Sequence, residues 1–146
     1  MLSGGPIEEI PLPLDGIVTD LSWQAKYPVV LVDMCSWTQP SCVYRYNVVS
    51  NSMVDTGWLP PPPAYAEEIE AYEVYAPAKD GTLIPITITH LKGLQRDSNN
   101  ITMLSGYGSF GVSLTPAWFG NKYSWFKRGC ILAIAHLRGG GEYGEA

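Results

Sequence analysis

Three observations predict an α/β fold with a β-rich N-terminal part. The first half carries short runs rich in Val, Ile, Tyr and Trp, separated by turn residues. A Lys79-Asp80-Gly81 turn then joins two further strand-like runs. Finally, two short apolar runs, Ile101 to Leu104 and Cys130 to Ala135, each lead directly into a glycine-rich turn. Strand, tight turn and helix in that order is how an α/β sheet presents backbone N–H groups at its functional edge.

The elements follow in chain order. Gly16 to Trp23, Val29 to Trp37 and Cys42 to Val49 read as three strands, divided by Pro28, by Gln39-Pro40-Ser41 and by Ser50-Asn51-Ser52. In Val43-Tyr44-Arg45-Tyr46-Asn47-Val48 large and polar residues alternate, as on a half-buried antiparallel strand. Three short strands at this spacing fit a propeller blade or the corner of a sandwich. Pro60 to Pro63 mark a boundary, because four prolines favour an extended conformation and offer no N–H to a sheet. A stiff linker is preferred there over an SH3-type ligand, since basic neighbours are missing. Beyond it, Tyr72 to Tyr75 and Thr82 to Thr89 form the hairpin, and Leu91 to Asn100 a polar loop. Ile101 to Leu104 is expected as a short buried strand. Pro116 to Lys127 is expected as a helix, with Thr115 as its cap and Gly129 ending it. Trp118, Tyr123, Trp125 and Phe126 would supply its apolar face, and Cys130 to Leu137 the next buried strand.

Composition narrows the function. The chain has 146 residues, 46% of them hydrophobic, with mean hydropathy near zero, which suits a globular domain. Fourteen acidic residues against nine basic ones give a net charge of −5, and Lys122, Lys127, Arg128 and Arg138 are dispersed, so a nucleic-acid partner is not expected. Apolar runs are too short for a membrane span. Met1 to Pro6 lack the pattern of a secretory leader, so free thiols at Cys35, Cys42 and Cys130 and a cytoplasmic location are expected. His90 and His136 are the only histidines, and no Cys/His spacing suggests a metal site.

Two glycine motifs tempt further readings. Tyr107-Gly108-Ser109-Phe110-Gly111 approaches the nucleophile elbow G-x-S-x-G, but Tyr107 occupies a position that must be small, so Ser109 is not read as a nucleophile. Arg138-Gly139-Gly140-Gly141-Glu142-Tyr143-Gly144 contains G-x-G-x-x-G after a strand. A dinucleotide site would further need a helix there and an acidic residue about 20 positions on. A tight turn anchored by Arg138 and Glu142 through hydrogen bonds and charge is preferred.

These same residues, in this order, resemble the prolyl oligopeptidase family of serine peptidases. Ser105 to Pro116 look like its glycine-tyrosine-glycine turn, and Ala133 to Ala146 like the segment before its nucleophile region. Lys79 to Pro85 resemble the start of its catalytic domain. Ser36 to Ser41 with Tyr44 to Asn47 resemble the end of its β-propeller. The resemblance implies a partial α/β-hydrolase sheet (71–146) preceded by the last strands of a β-propeller (1–70). It implies cleavage of short peptide substrates by a Ser-Asp-His triad, with no metal or organic cofactor. By that resemblance Tyr107 helps form the oxyanion hole and Phe110 lines the pocket for the side chain before the scissile bond, its alternative being ordinary core. The nucleophile, acid and histidine would all lie beyond Ala146, so this stretch alone is expected to be inactive. Ser105 stands where prolyl-specific members often carry tyrosine, and Ser109 where they often carry glycine. With His136 these are similar to the branch that cleaves after basic residues, whereas Glu142 to Glu145 are similar to the prolyl branch. A standalone, non-catalytic β-rich binding module is the competing reading.

Overall fold

A computed structural model describes residues 9–142, so Met1 to Pro6 and the Tyr143 to Glu145 part of the second glycine motif lie outside the described residues. The protein is β-rich, with two four-stranded sheets.

The first sheet runs in chain order: β1 (Ile17–Trp23), β2 (Val29–Cys35), β3 (Cys42–Asn47) and β4 (Ser52–Asp55), all antiparallel. Period-two alternation places Val30, Val32 and Met34 opposite Tyr46, Tyr44 and Cys42, and Met53 continues the same face. Val32, Met34 and Tyr46 are buried there with Val18 and Tyr44 against them. The first three strands stand where the sequence puts them. The fourth replaces part of a segment that reads as a turn. Asn51 makes that turn in the left-handed region (φ 50°), its Oδ1 accepting the Tyr46 hydroxyl at 2.9 Å. β4 has four residues and no buried side chain, too short a pattern to announce itself.

Pro63 has φ −63° and ψ 146°, the extended polyproline conformation expected of the linker. The chain then makes a 3-10 turn, Ala64–Glu68, which delivers Tyr65 into the core. The second sheet holds β5 (Ile69–Pro77), β6 (Leu83–Leu91), β7 (Thr102–Gly106) and β8 (Ile131–Ala135) in the order β5-β6-β8-β7. β5 and β6 form the expected hairpin: Ala78 N–H donates to Thr82 O at 2.8 Å and Gly81 takes φ 86°. β8 lies antiparallel to β6 and parallel to β7.

One face of this sheet carries Ile69, Leu132 and Ile134, and on it sits Phe126, 1% exposed, from the short helix α1 (Tyr123–Phe126). The expected helix over Pro116 to Lys127 is a correction: only a 3-10 turn, Gly120–Lys122, and α1 are helical, and Thr115 caps neither. The reason is tertiary. Trp118 stacks on Tyr65, while Phe119 stacks on Trp37 of the β2–β3 connection, with ring centroids 6.1 and 5.9 Å apart. These opposed demands pull consecutive side chains out of helical register, and Phe119 adopts φ −105°, ψ 42°. Gly129 (φ 75°) ends the helix as expected.

β7 is the second correction. Its composition predicts burial, yet every residue in it is exposed, because it pairs with β8 on one side only. Ile101 is 65% exposed and Leu104 67%. An open strand edge beside exposed apolar side chains templates further pairing. The chain is therefore expected to self-associate across a concentration series in sedimentation velocity, and the double substitution Ile101→Lys, Leu104→Lys to shift it toward monomer. A wild-type chain that stays monomeric throughout would contradict this.

Candidate active site

The parallel register pairs Gly106 with Ala135, so β7 and β8 end side by side and both glycine-rich turns leave the same, carboxyl edge of the sheet. There the turns interlock through main chain. Gly111 N–H donates to Gly139 O at 2.9 Å. A Cβ on Gly108 would collide with the Arg138 carbonyl and approach Leu137 Cβ to 2.9 Å. One on Gly139 would collide with Gly108 O, and one on Gly141 would come within 2.7 Å of Gly111 O. The described glycines are spaced for mutual approach of two backbones, which accounts for Gly139 and Gly141 without a bound dinucleotide.

Side chains pin the second turn as expected. Arg138 donates to Asp80 Oδ2 at 2.6 Å, tying the turn to the β5–β6 hairpin. Asp80 is held down to about 2, first by the Thr82 backbone N–H and then by Arg138. Glu142 Oε1 accepts the Leu114 N–H at 2.9 Å. Burial pushes the Glu142 carboxyl up, but the Leu114 N–H, its own N–H and His136 outweigh this and leave it below its ordinary value. His136 Nδ1 lies 3.6 Å from Glu142 Oε1, and its Nε2 shares a 2.8 Å hydrogen bond with Thr87 Oγ1 on β6. Thr87, His136 and Glu142, with Trp37, Glu73 and Ser113, line a cavity of about 380 Å³ between the second sheet and the β2–β3 connection. Asp80 and Thr87 carry no signal of these roles in the sequence: their partners lie 58 and 49 residues away, and nothing local pairs them.

The expected site residues ride on the first turn. Tyr107 directly follows β7 and is 43% exposed. Ser109 O accepts the Val112 N–H, and between them Phe110 and Gly111 have φ 55° and 64°, the pattern of a type I′ turn. Phe110 sits at its tip, 91% exposed, outside both buried clusters of the described residues. His136 is committed to Thr87 and faces Glu142, so it offers Ser109 no base. Among the described residues no group of three or more His, Cys, Asp or Glu side chains is placed to hold a metal, and no helix is long and apolar enough to cross a membrane.

No family model matches the chain. Individual relatives do. A prolyl endopeptidase of Elizabethkingia meningoseptica is 30% identical over 143 residues, covering 98% of this chain and 20% of that protein. Dipeptidyl aminopeptidase BI of Pseudoxanthomonas mexicana is 35% identical over 112 residues, 76% of this chain and 16% of its own length. A solved prolyl endopeptidase structure superposes with a TM-score of 0.86 at 32% identity, over 98% of this chain and 21% of that one. The chain belongs to the prolyl oligopeptidase family of serine peptidases. It spans about a fifth of the length of the curated prolyl endopeptidase it matches.

The interlocked turns of this prolyl oligopeptidase relative make two predictions. Gly108→Ala forces two backbones apart and should abolish the Gly111–Gly139 bond. Gly111→Ala meets open space and should lower stability by only about 1–2 kcal/mol, the strain of a left-handed alanine. Urea unfolding of both variants, with exchange of the backbone amide at position 111, separates the two effects. The second concerns acid. Because the Asp80 carboxyl is depressed in the folded state, its contribution is fully present above its unfolded value of 3.8 and is lost as pH falls through about 2. The carboxyl carbon shift of Asp80 should therefore titrate near pH 2 in wild type, and nearer 3.8 in Arg138→Gln.

Proposed function

We propose that residues 1–70 form the last strands of a β-propeller and residues 71–146 the opening of an α/β-hydrolase domain, together part of a serine peptidase acting on short peptides. A four-stranded antiparallel meander in chain order is the form of a propeller blade, which supports the first assignment. The extended Pro60 to Pro63 segment supports the boundary. The second is supported by the loop after β7 leaving the carboxyl edge of the sheet beside a parallel neighbour, since an α/β-hydrolase takes an oxyanion donor from a strand-to-helix loop of that kind.

The observation that carries the reading is Tyr107: an exposed phenol immediately after β7, on a loop fixed by backbone contact with the turn after β8. In this role its hydroxyl donates to the oxygen that becomes negative as a serine attacks the peptide carbonyl, stabilising the tetrahedral intermediate. Phe110 packs its ring against the substrate side chain before the scissile bond. No metal or organic cofactor takes part. The three free cysteines support a reducing, cytoplasmic setting.

The test is a chimera in which residues 9–142 replace the matching stretch of the Elizabethkingia meningoseptica prolyl endopeptidase. It should cleave a short proline-containing peptide, and Tyr107→Phe should lower kcat about 100-fold with KM little changed. The 146-residue chain by itself should form no covalent adduct with a fluorophosphonate. A folded but inactive chimera, or full activity in Tyr107→Phe, would refute the assignment.

A further inference from the structure

We propose that Glu142 is a positioning residue for the peptidase site, its carboxylate holding the loop 107–114 that displays Tyr107 and Phe110, and that His136 and Thr87 hold the carboxylate in turn. The inference rests on the reading of that loop as part of a peptidase site.

The geometry runs from the sheet outward. Thr87 belongs to β6, which is paired on both sides, and is 6% exposed, so its hydroxyl has a fixed place. It meets His136 Nε2 at 2.8 Å, just past the end of β8, where His136 N–H also donates to Pro85 O at 3.0 Å. With the backbone held at Pro85 and Nε2 turned to Thr87, Nδ1 faces Glu142 Oε1, 3.6 Å away, and that nitrogen is buried with no hydrogen-bond partner of its own. The Glu142 side chain is 12% exposed. A carboxylate so shielded is tolerated only when its oxygens are satisfied, and the Leu114 N–H supplies a charge-assisted bond at 2.9 Å.

That bond acts at a sensitive place. The loop is tied near its tip by Gly111 N–H to Gly139 O, and at its base by Leu114 N–H to Glu142. Gly108 and Gly111 give the segment between β7 and Leu114 little intrinsic stiffness. Without the bond from Leu114 the arm from Val112 to Leu114 is released, and the loop keeps only its contacts at Gly108 and Gly111 to hold Tyr107 and Phe110 in place. Misplacing a catalytic group by about 1 Å is enough to lower a rate about 100-fold. Glu142 never touches the substrate in this scheme, since it faces the cavity beside the β2–β3 connection together with Trp37 and Ser113.

The experiment measures hydrogen–deuterium exchange by mass spectrometry, at residue resolution, on the 146-residue chain as wild type, Glu142→Ala and Glu142→Gln. In Glu142→Ala the Leu114 amide should exchange about tenfold faster or more, with β8 amides unchanged. Glu142→Gln keeps a carbonyl oxygen for the same N–H and should restore most of the protection. Unchanged Leu114 exchange in Glu142→Ala overturns the proposal, as does failure of Gln to restore it. Should β8 also open in Glu142→Ala, the Gln variant decides. In the chimera described above, Glu142→Ala should lower kcat at least about tenfold with KM little changed, and Gln should recover it; an unaffected kcat overturns the positioning role. A folded wild-type chimera without activity sinks the peptidase reading instead, and exchange still decides whether Glu142 holds the loop.

Discussion

Two glycine-rich turns meet through main chain, and the arrangement of everything at this edge of the sheet follows from how closely they approach. Neither Gly108 nor Gly139 has room for a Cβ, because each would place it against the other turn's carbonyl groups. Contact at that range is specific in a way that side-chain packing is not. A side chain can change rotamer to relieve a clash, whereas two peptide planes in contact move only if their strands move. β7 and β8 are already fixed by their parallel ladder, from Thr102↔Ile131 to Gly106↔Ala135. The turns therefore inherit the rigidity of the sheet, and Tyr107 inherits it from the turns. Gly111 illustrates the contrast: open space surrounds it, so its glycine answers only to a positive φ.

A second constraint joins the two sheets, and it is aromatic. Tyr65 stacks on Tyr123 with centroids 4.2 Å apart and on Trp118, while Trp37 stacks on Phe119. Tyr123 also donates its hydroxyl to Glu68 Oε2 at 2.8 Å. The proline run and the 3-10 turn after it thus do more than separate: they set Tyr65 against the segment that leads into β8. Cys35 adds a thiol hydrogen bond to Pro116 O at 3.3 Å, and burial followed by Asp33 keeps that thiol above its ordinary value. A neutral, buried sulfur suits packing and not nucleophilic chemistry.

What can be read in the sequence is what local chemistry specifies. The first three strands of the meander and the Lys79-Asp80-Gly81 turn carry short-range signals, either alternation or turn residues. The features that escape it share the opposite character. The helix over Pro116 to Lys127 fails because Trp118 and Phe119 answer to Tyr65 and Trp37, residues from distant parts of the chain. β7 has the composition of a covered strand, but burial depends on neighbours that a strand does not encode. The ties from Asp80 to Arg138 and from Thr87 to His136 span 58 and 49 residues, and nothing in either segment names its partner. Tyr107 and Phe110 stand out by resemblance to a family, not by any periodicity.

Phe110 is where stability and site chemistry part company. Its backbone lies in the left-handed region, at φ 55°, which carries a penalty of about 1–2 kcal/mol for a residue with a Cβ. Its ring is 91% exposed and so forgoes nearly all of the roughly 2–3 kcal/mol that burying a phenylalanine contributes. Both terms oppose the fold of this chain, and Asn or Gly at the same position would relieve the first without altering the second. The turn nevertheless holds its shape, because Ser109 O and Gly139 O accept the N–H groups on its far side. A strained turn that displays a bare aromatic ring, braced from behind by backbone contact, is poorly explained by packing within these residues. It is well explained by contact with something the ring meets outside them, which is the role proposed above for Phe110.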